Sequence, residues 1–200
     1  MTDKHNYPKC YSRIKSVKKN IDDEKIKQNF NRYVYRYRLA RAFEGINAPD
    51  IGKQTLGGYT AAMKMFLAYS AFDEIRAIKK KIKELKTPQN EHIQILDAEA
   101  AELIRKNEEL ELLLKNSRVV NNNSLVADID RFYEGENFDV MCIATAFRNT
   151  FSHGVFTAGA AGLKTKKNQK IIYLLADLVL IKSEDIANEC AEYFEKYLKG

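Results

Sequence analysis

The sequence predicts an all-helical bundle, and three observations carry that prediction. Apolar residues recur at three-to-four spacing between residues 22 and 45. Two long helical patterns follow each other, parted only by Thr87-Pro88. An apolar stripe also runs through Val140, Ile143, Ala144, Phe147 and Phe151. The chain has 200 residues, enough for one domain with its own core. Hydrophobic residues at 45% and charged residues at 30% are globular values and exclude wholesale disorder. Residues 1–21 are expected as a loose N-terminal arm holding at most a turn of helix, and 22–200 as a single helical domain.

Asp22-Asp23 suit a helix N-terminus, and Gly45 suits its end, with Ile26, Phe30, Tyr33, Val34, Tyr37 and Ala40 on the inner side. The other face is basic and aromatic, with Arg32, Tyr35, Arg36, Arg38 and Arg41. The tyrosines Tyr33, Tyr35 and Tyr37 read first as core or snorkelling residues, with base stacking as the alternative. A loop at 47–52 leads to Gly57-Gly58 and a second helix from Tyr59 to about Lys86. Its first half is apolar nearly all round, while its second half keeps a thin stripe of Ile75, Ile78, Ile82 and Leu85.

Pro88 breaks the pattern, and a third helix is expected from about Gln89 to Asn116, with Ile93, Leu96, Ala100, Leu103, Leu110 and Leu114 near heptad spacing. Together the two helices predict a long protruding antiparallel hairpin over about 75–115, its arms paired by Lys79 to Lys86 against Glu99 to Glu111. A loop at Asn121-Asn122-Asn123, a Ser124 cap and a short helix to Gly135 come next. Asp139 then starts a helix running to Gly154. Residues 157–164 read as a flexible connector. The run Ile171 to Ile181 reads as helix, with a strand as the alternative, and Ser183-Glu184-Asp185 as the opening of a last helix to Leu198.

The formal charge of +6 fits an anionic partner such as RNA. Basic residues concentrate before residue 45 and in Lys79 to Lys86, whereas Glu91 to Glu111 is acidic. No apolar run approaches the ~18 residues of a membrane span, and the N-terminus lacks the apolar stretch of a signal peptide, so no membrane contact and a cytoplasmic location are expected. Cys10, Cys142 and Cys190 are odd in number and far apart, with no histidines at zinc-ligand spacing. They predict neither a disulfide framework nor a structural metal, and no cofactor is expected.

The chemistry concentrates in Arg148-Asn149-Thr150-Phe151-Ser152-His153. With Phe147 at zero on a helical wheel, Val140, Ile143, Ala144 and Phe151 fall within about 60° of it, while Arg148, Asn149, Ser152 and His153 fall between about 100° and 240°. One face packs and the other presents Arg, Asn and His together. Those residue types suit phosphodiester cleavage. Arginine offers a permanently charged fork to phosphate oxygens, histidine carries protons near neutral pH, and asparagine can orient either one. In RNA the 2′-hydroxyl is already the nucleophile, so neither a metal nor a protein nucleophile is required. The competing reading of the same residues is a helix C-terminus, with His153 at the negative end of the dipole and Arg148 in a surface ion pair.

These six residues, followed by Gly154, resemble the Arg-polar-x-x-x-His signature of HEPN domains, helical bundles that commonly act as metal-independent endoribonucleases. The resemblance extends in helix order from about Tyr59 to Leu198. It implies a homodimer whose protomers bring Arg148, Asn149 and His153 together in one composite cleft. It also implies a toxin or antiviral defence effector degrading RNA, often restrained by an inhibitory or regulatory partner. Glu74 resembles the acidic residue that many members place near the site, and Ser152 is a second supporting candidate. The alternative expectation is a non-catalytic dimerisation and protein-binding module that docks through the hairpin.

Overall fold

The computed structural model describes residues 6–82, 91–116, 123–136, 138–153, 157–159 and 162–197. The described residues form eight helices and no strand: α1 (Tyr11–Val17), α2 (Glu24–Ala42), α3 (Lys53–Lys81), α4 (Glu91–Arg105), α5 (Glu108–Asn116), α6 (Asn123–Tyr133), α7 (Met141–Ser152) and α8 (Lys166–Tyr197). The chain divides into two compact units. The first comprises Met1–Phe43, Leu67–Asn90 and Val179–Gly200, and the second Glu44–Phe66 and Glu91–Leu178.

In the first unit the described part of the N-terminal segment, residues 6–21, is packed rather than loose. Cys10, Ile14, Val17 and Ile21 are all buried, and Arg13 donates to Asn188 at 2.6 Å while pairing with Glu192 and Glu195. Helix α2 begins one residue after Asp23, whose carboxylate accepts the N–H groups of Lys25 and Ile26 at 2.8 and 3.0 Å and so satisfies two of the helix's orphan donors. It ends at Ala42, short of Gly45, because Phe43 turns extended. Its inner stripe, Ile26, Phe30, Tyr33, Val34, Tyr37 and Ala40, is buried as the spacing predicts.

The second half of α3 does not protrude. Ile75, Ile78 and Ile82 are buried within this unit, and Lys79 and Lys81 pair with Glu189 and Asp23 at 3.5 and 2.9 Å. The predicted break at Pro88 lies outside the described residues.

The expected third helix is two helices. Asn107 interrupts it, its side-chain oxygen accepting from the Leu110 N–H at 3.2 Å and its carbonyl from Glu111 at 3.1 Å, which makes it the N-cap of α5. Ala100, Ile104, Leu110 and Leu114 are buried in the second unit, where α4, α5, α6 and α7 pack on one another. Their acids pair locally, Glu102 with Arg105 and Glu111 with Lys115, while Lys83 and Lys86 of the expected inter-arm pairing lie outside the described residues. Within the described part of 75–115 the apolar stripe is buried in each unit, while Leu103 and Leu112 face outward.

Helix α6 closes with a Schellman motif: the Glu136 N–H donates to Arg131 and the Gly135 N–H to Phe132, with Gly135 at φ +85°. Among the described residues after α7, Ala158 and Leu163 are buried, and the Leu163 N–H donates to the Ala158 carbonyl at 2.9 Å. That close approach explains why α3 runs through Gly58. A Cβ there would lie 2.8 Å from both the Ala158 Cβ and the Leu163 carbonyl oxygen. Residues 171–181 are helical, and α8 continues unbroken through Ser183, whose buried hydroxyl donates to the Leu180 carbonyl at 2.7 Å instead of capping a new helix.

Candidate functional site

Helix α7 starts as its sequence directs. The Asp139 carboxylate accepts the Met141 N–H at 3.0 Å, and the first turn follows. Ile143, Ala144, Ala146, Phe147 and Thr150 are fully buried, and α7 packs on α5 and α6 in the second unit. Thr145 and Thr150 donate to the carbonyls of Met141 and Ala146 at 2.7 and 2.9 Å, so neither hydroxyl is left bare against the core. Phe151 sits beside Phe66 with ring centroids 5.4 Å apart. These contacts fix the rotation of α7 about its axis.

With that rotation fixed, the polar arc faces outward. Arg148 and Asn149 are half-buried, while Ser152 and His153 are exposed. Arg148 Nη1 donates to Asn149 Oδ1 at 3.0 Å, which ties the guanidinium to its neighbour. His153 closes the helix: its backbone N–H donates to the Asn149 carbonyl at 3.1 Å, placing it one turn beyond Asn149. The expected end at Gly154 lies outside the described residues.

Chemically, the arc offers a permanently cationic fork braced by an amide and, one turn on, an imidazole at the helix end. The supporting candidates fare differently. Ser152 spends its hydroxyl on the Arg148 carbonyl, a bond within the helix. Glu74 belongs to the first unit, where its carboxylate meets Arg36 Nη1 at 2.8 Å and is largely covered. That ion pair accounts for Glu74 as a structural acid. No motif in the sequence announces Arg36 as its partner, 38 residues away.

The three thiols are buried, and burial pushes each up to about 12, with Glu184 adding to the effect at Cys10 and Asp139 at Cys142. None serves as a nucleophile at neutral pH. Among the described residues no group of three or more His, Cys, Asp or Glu side chains is placed to hold a metal ion, and no helix is long and apolar enough to cross a membrane. Compared with protein-family models, with curated proteins and with solved structures, the chain matches none.

Proposed function

We propose that this protein is a HEPN-type, metal-independent endoribonuclease, with Arg148, Asn149 and His153 as its working residues. The observation that carries the reading is the pairing of Arg148 Nη1 with Asn149 Oδ1 at 3.0 Å on the outward arc of α7, with His153 exposed one turn further on.

In the reaction, the RNA 2′-oxygen attacks the adjacent phosphorus, the 2′-O–P bond forms, and the P–O5′ bond breaks. One His153 imidazole takes the 2′-hydroxyl proton and another, protonated, gives one to the departing 5′-oxygen, leaving a 2′,3′-cyclic phosphate and a 5′-hydroxyl. Arg148 binds the non-bridging oxygens, whose charge gathers in the transition state, and Asn149 holds the guanidinium in register. The HEPN resemblance implies a homodimer whose two copies of α7 share one composite site, so that the two imidazoles are the His153 side chains of the two protomers. Its biological setting is that of an RNA-degrading toxin or defence effector, held in check by a partner.

The test is incubation of purified protein with labelled total RNA in EDTA, wild type beside His153→Ala and Arg148→Ala, with end analysis of the fragments. Cleavage leaving cyclic phosphate and falling by about 10²–10⁴-fold in each variant is the expected result. Unchanged cleavage in either folded variant would sink the proposal.

A further inference from the structure

The charge of the chain is segregated between its two units. The first carries 21 Lys and Arg against 12 Asp and Glu, a net +9, whereas the second carries 12 against 15, a net −3. The unit that holds Arg148 and His153 is therefore not the one that would attract a polyanion over distance.

Within the basic unit, one surface combines cations with one exposed aromatic ring, Tyr35, and two half-buried ones, Tyr7 and Tyr11. On α2, Tyr33 and Tyr37 are buried, but Tyr35 between them is 68% exposed and Leu39, one turn on, is 53% exposed. On a helical wheel Arg32 and Arg38 flank Tyr35 at about 60° on either side. Arg32 is exposed. The Arg38 guanidinium lies 4.1 Å over the Tyr7 ring, which in turn lies 4.3 Å from the Tyr11 ring. At the N-terminal edge of the stripe the Lys18 ammonium bonds Asn31, bringing a third cation to the same face. The only acid on α2 is Glu24, three turns before Tyr35 and already paired with Lys27.

We infer that this face of α2, with the Tyr7–Tyr11–Arg38 stack beside it, binds single-stranded nucleic acid, bases stacking on Tyr35 and phosphates meeting Arg32 and Lys18. Alternation of rings and cations on a convex helix face is what a flexible strand of stacked bases and regularly spaced phosphates requires. A duplex hides its base faces and would gain nothing from Tyr35. The assignment of the strand as RNA rests on the proposed cleavage reaction, but the binding itself does not.

The experiment uses the full chain carrying His153→Ala, so that the RNA survives, and follows the anisotropy of short labelled oligouridylate and oligoadenylate strands. Tyr35→Ala is expected to weaken binding by about tenfold or more and Tyr35→Phe to leave it within about twofold, since a phenyl ring stacks equally well. Arg32→Ala is expected to lower the slope of log affinity against log salt by about 0.7, one phosphate contact on a single strand. Tyr35 is exposed, so these variants keep the fold. Equal binding by Tyr35→Ala and its parent would overturn the inference. So would anionic phospholipid vesicles that bind the chain with the same dependence on Tyr35 and Arg32, which would make the face a membrane-surface site. If the strands bind through Tyr35 while the wild-type chain cleaves nothing, the cleavage reading falls and this one stands.

Discussion

Asn149 and Arg148 are sequence neighbours whose side chains meet, Oδ1 accepting from Nη1 at 3.0 Å. Adjacent residues on a helix diverge by about 100°, so a bond between them bends the guanidinium sideways and fixes it near the surface of α7. Asn149 is therefore a positioning residue for Arg148. Asn149→Ala is expected to lower single-turnover RNA cleavage by about 10–100-fold, the worth of a hydrogen bond to a charged group, while shifting stability by less than about 0.5 kcal/mol. Asn149→Asp, which keeps the acceptor, is expected to recover most of the rate. Equal rates for the alanine variant and wild type would remove Asn149 from the mechanism.

Gly58 marks a close approach between α3 and the residues around Ala158 and Leu163. A methyl group there would lie 2.8 Å from a backbone oxygen that has no rotamer by which to retreat. Gly58→Ala is accordingly expected to cost about 1–3 kcal/mol in urea denaturation, despite alanine's higher helix propensity. Gly52 is the control: a Cβ at that position meets nothing within 4 Å, so Gly52→Ala is expected to stay within about 0.5 kcal/mol of wild type.

The outward arc of α7 and the Asp23 cap were legible because each is local. The arc follows from period and the cap from a carboxylate within reach of the next helix turn. The break between α4 and α5 is also encoded locally. Asn107 followed by Glu108-Glu109 is an N-cap signature inside what reads as one heptad pattern. Ser183 could not have been read correctly. A serine before two acids opens a helix when exposed and bonds back to its own carbonyls when buried, and only packing decides which. The same holds for the hairpin: a thin isoleucine stripe looks the same whether it covers a long arm or lies inside a unit. The division into two units is marked by no linker in the sequence, since its boundaries at 66–67 and 178–179 fall within the continuous helices α3 and α8.

Cys10, Cys142 and Cys190 are expected to be chemically silent while the fold holds. Burial is the main cause that raises each thiol to about 12, and a neutral thiol is a poor nucleophile. A colorimetric thiol reagent at pH 8 is expected to find none of the three in native protein and all three in guanidinium. Rapid reaction of one thiol in the native state would show that its segment opens on its own, independently of global unfolding.

Asp23 links the start of α2 to the end of α3's described span and sets an acid limit to stability. The Lys81 ammonium beside it, and the N–H groups of Ile26 and Lys25 that it accepts, hold its carboxyl below the usual carboxylate range. Because the folded chain binds that proton less tightly than the unfolded one, the stabilisation is fully present above the ordinary carboxylate pKa of about 4 and is lost as the pH falls through the folded value. Asp23→Asn keeps a capping oxygen but neither charge nor titration. The melting temperature of wild type is therefore expected to exceed that of Asp23→Asn at pH 7, and the difference to close on acidification below about pH 4. High salt at pH 7 is expected to narrow the same difference, since the Asp23–Lys81 pair is exposed enough to be screened. A difference that persists unchanged at low pH would assign the effect to the shape of the cap and not to its charge.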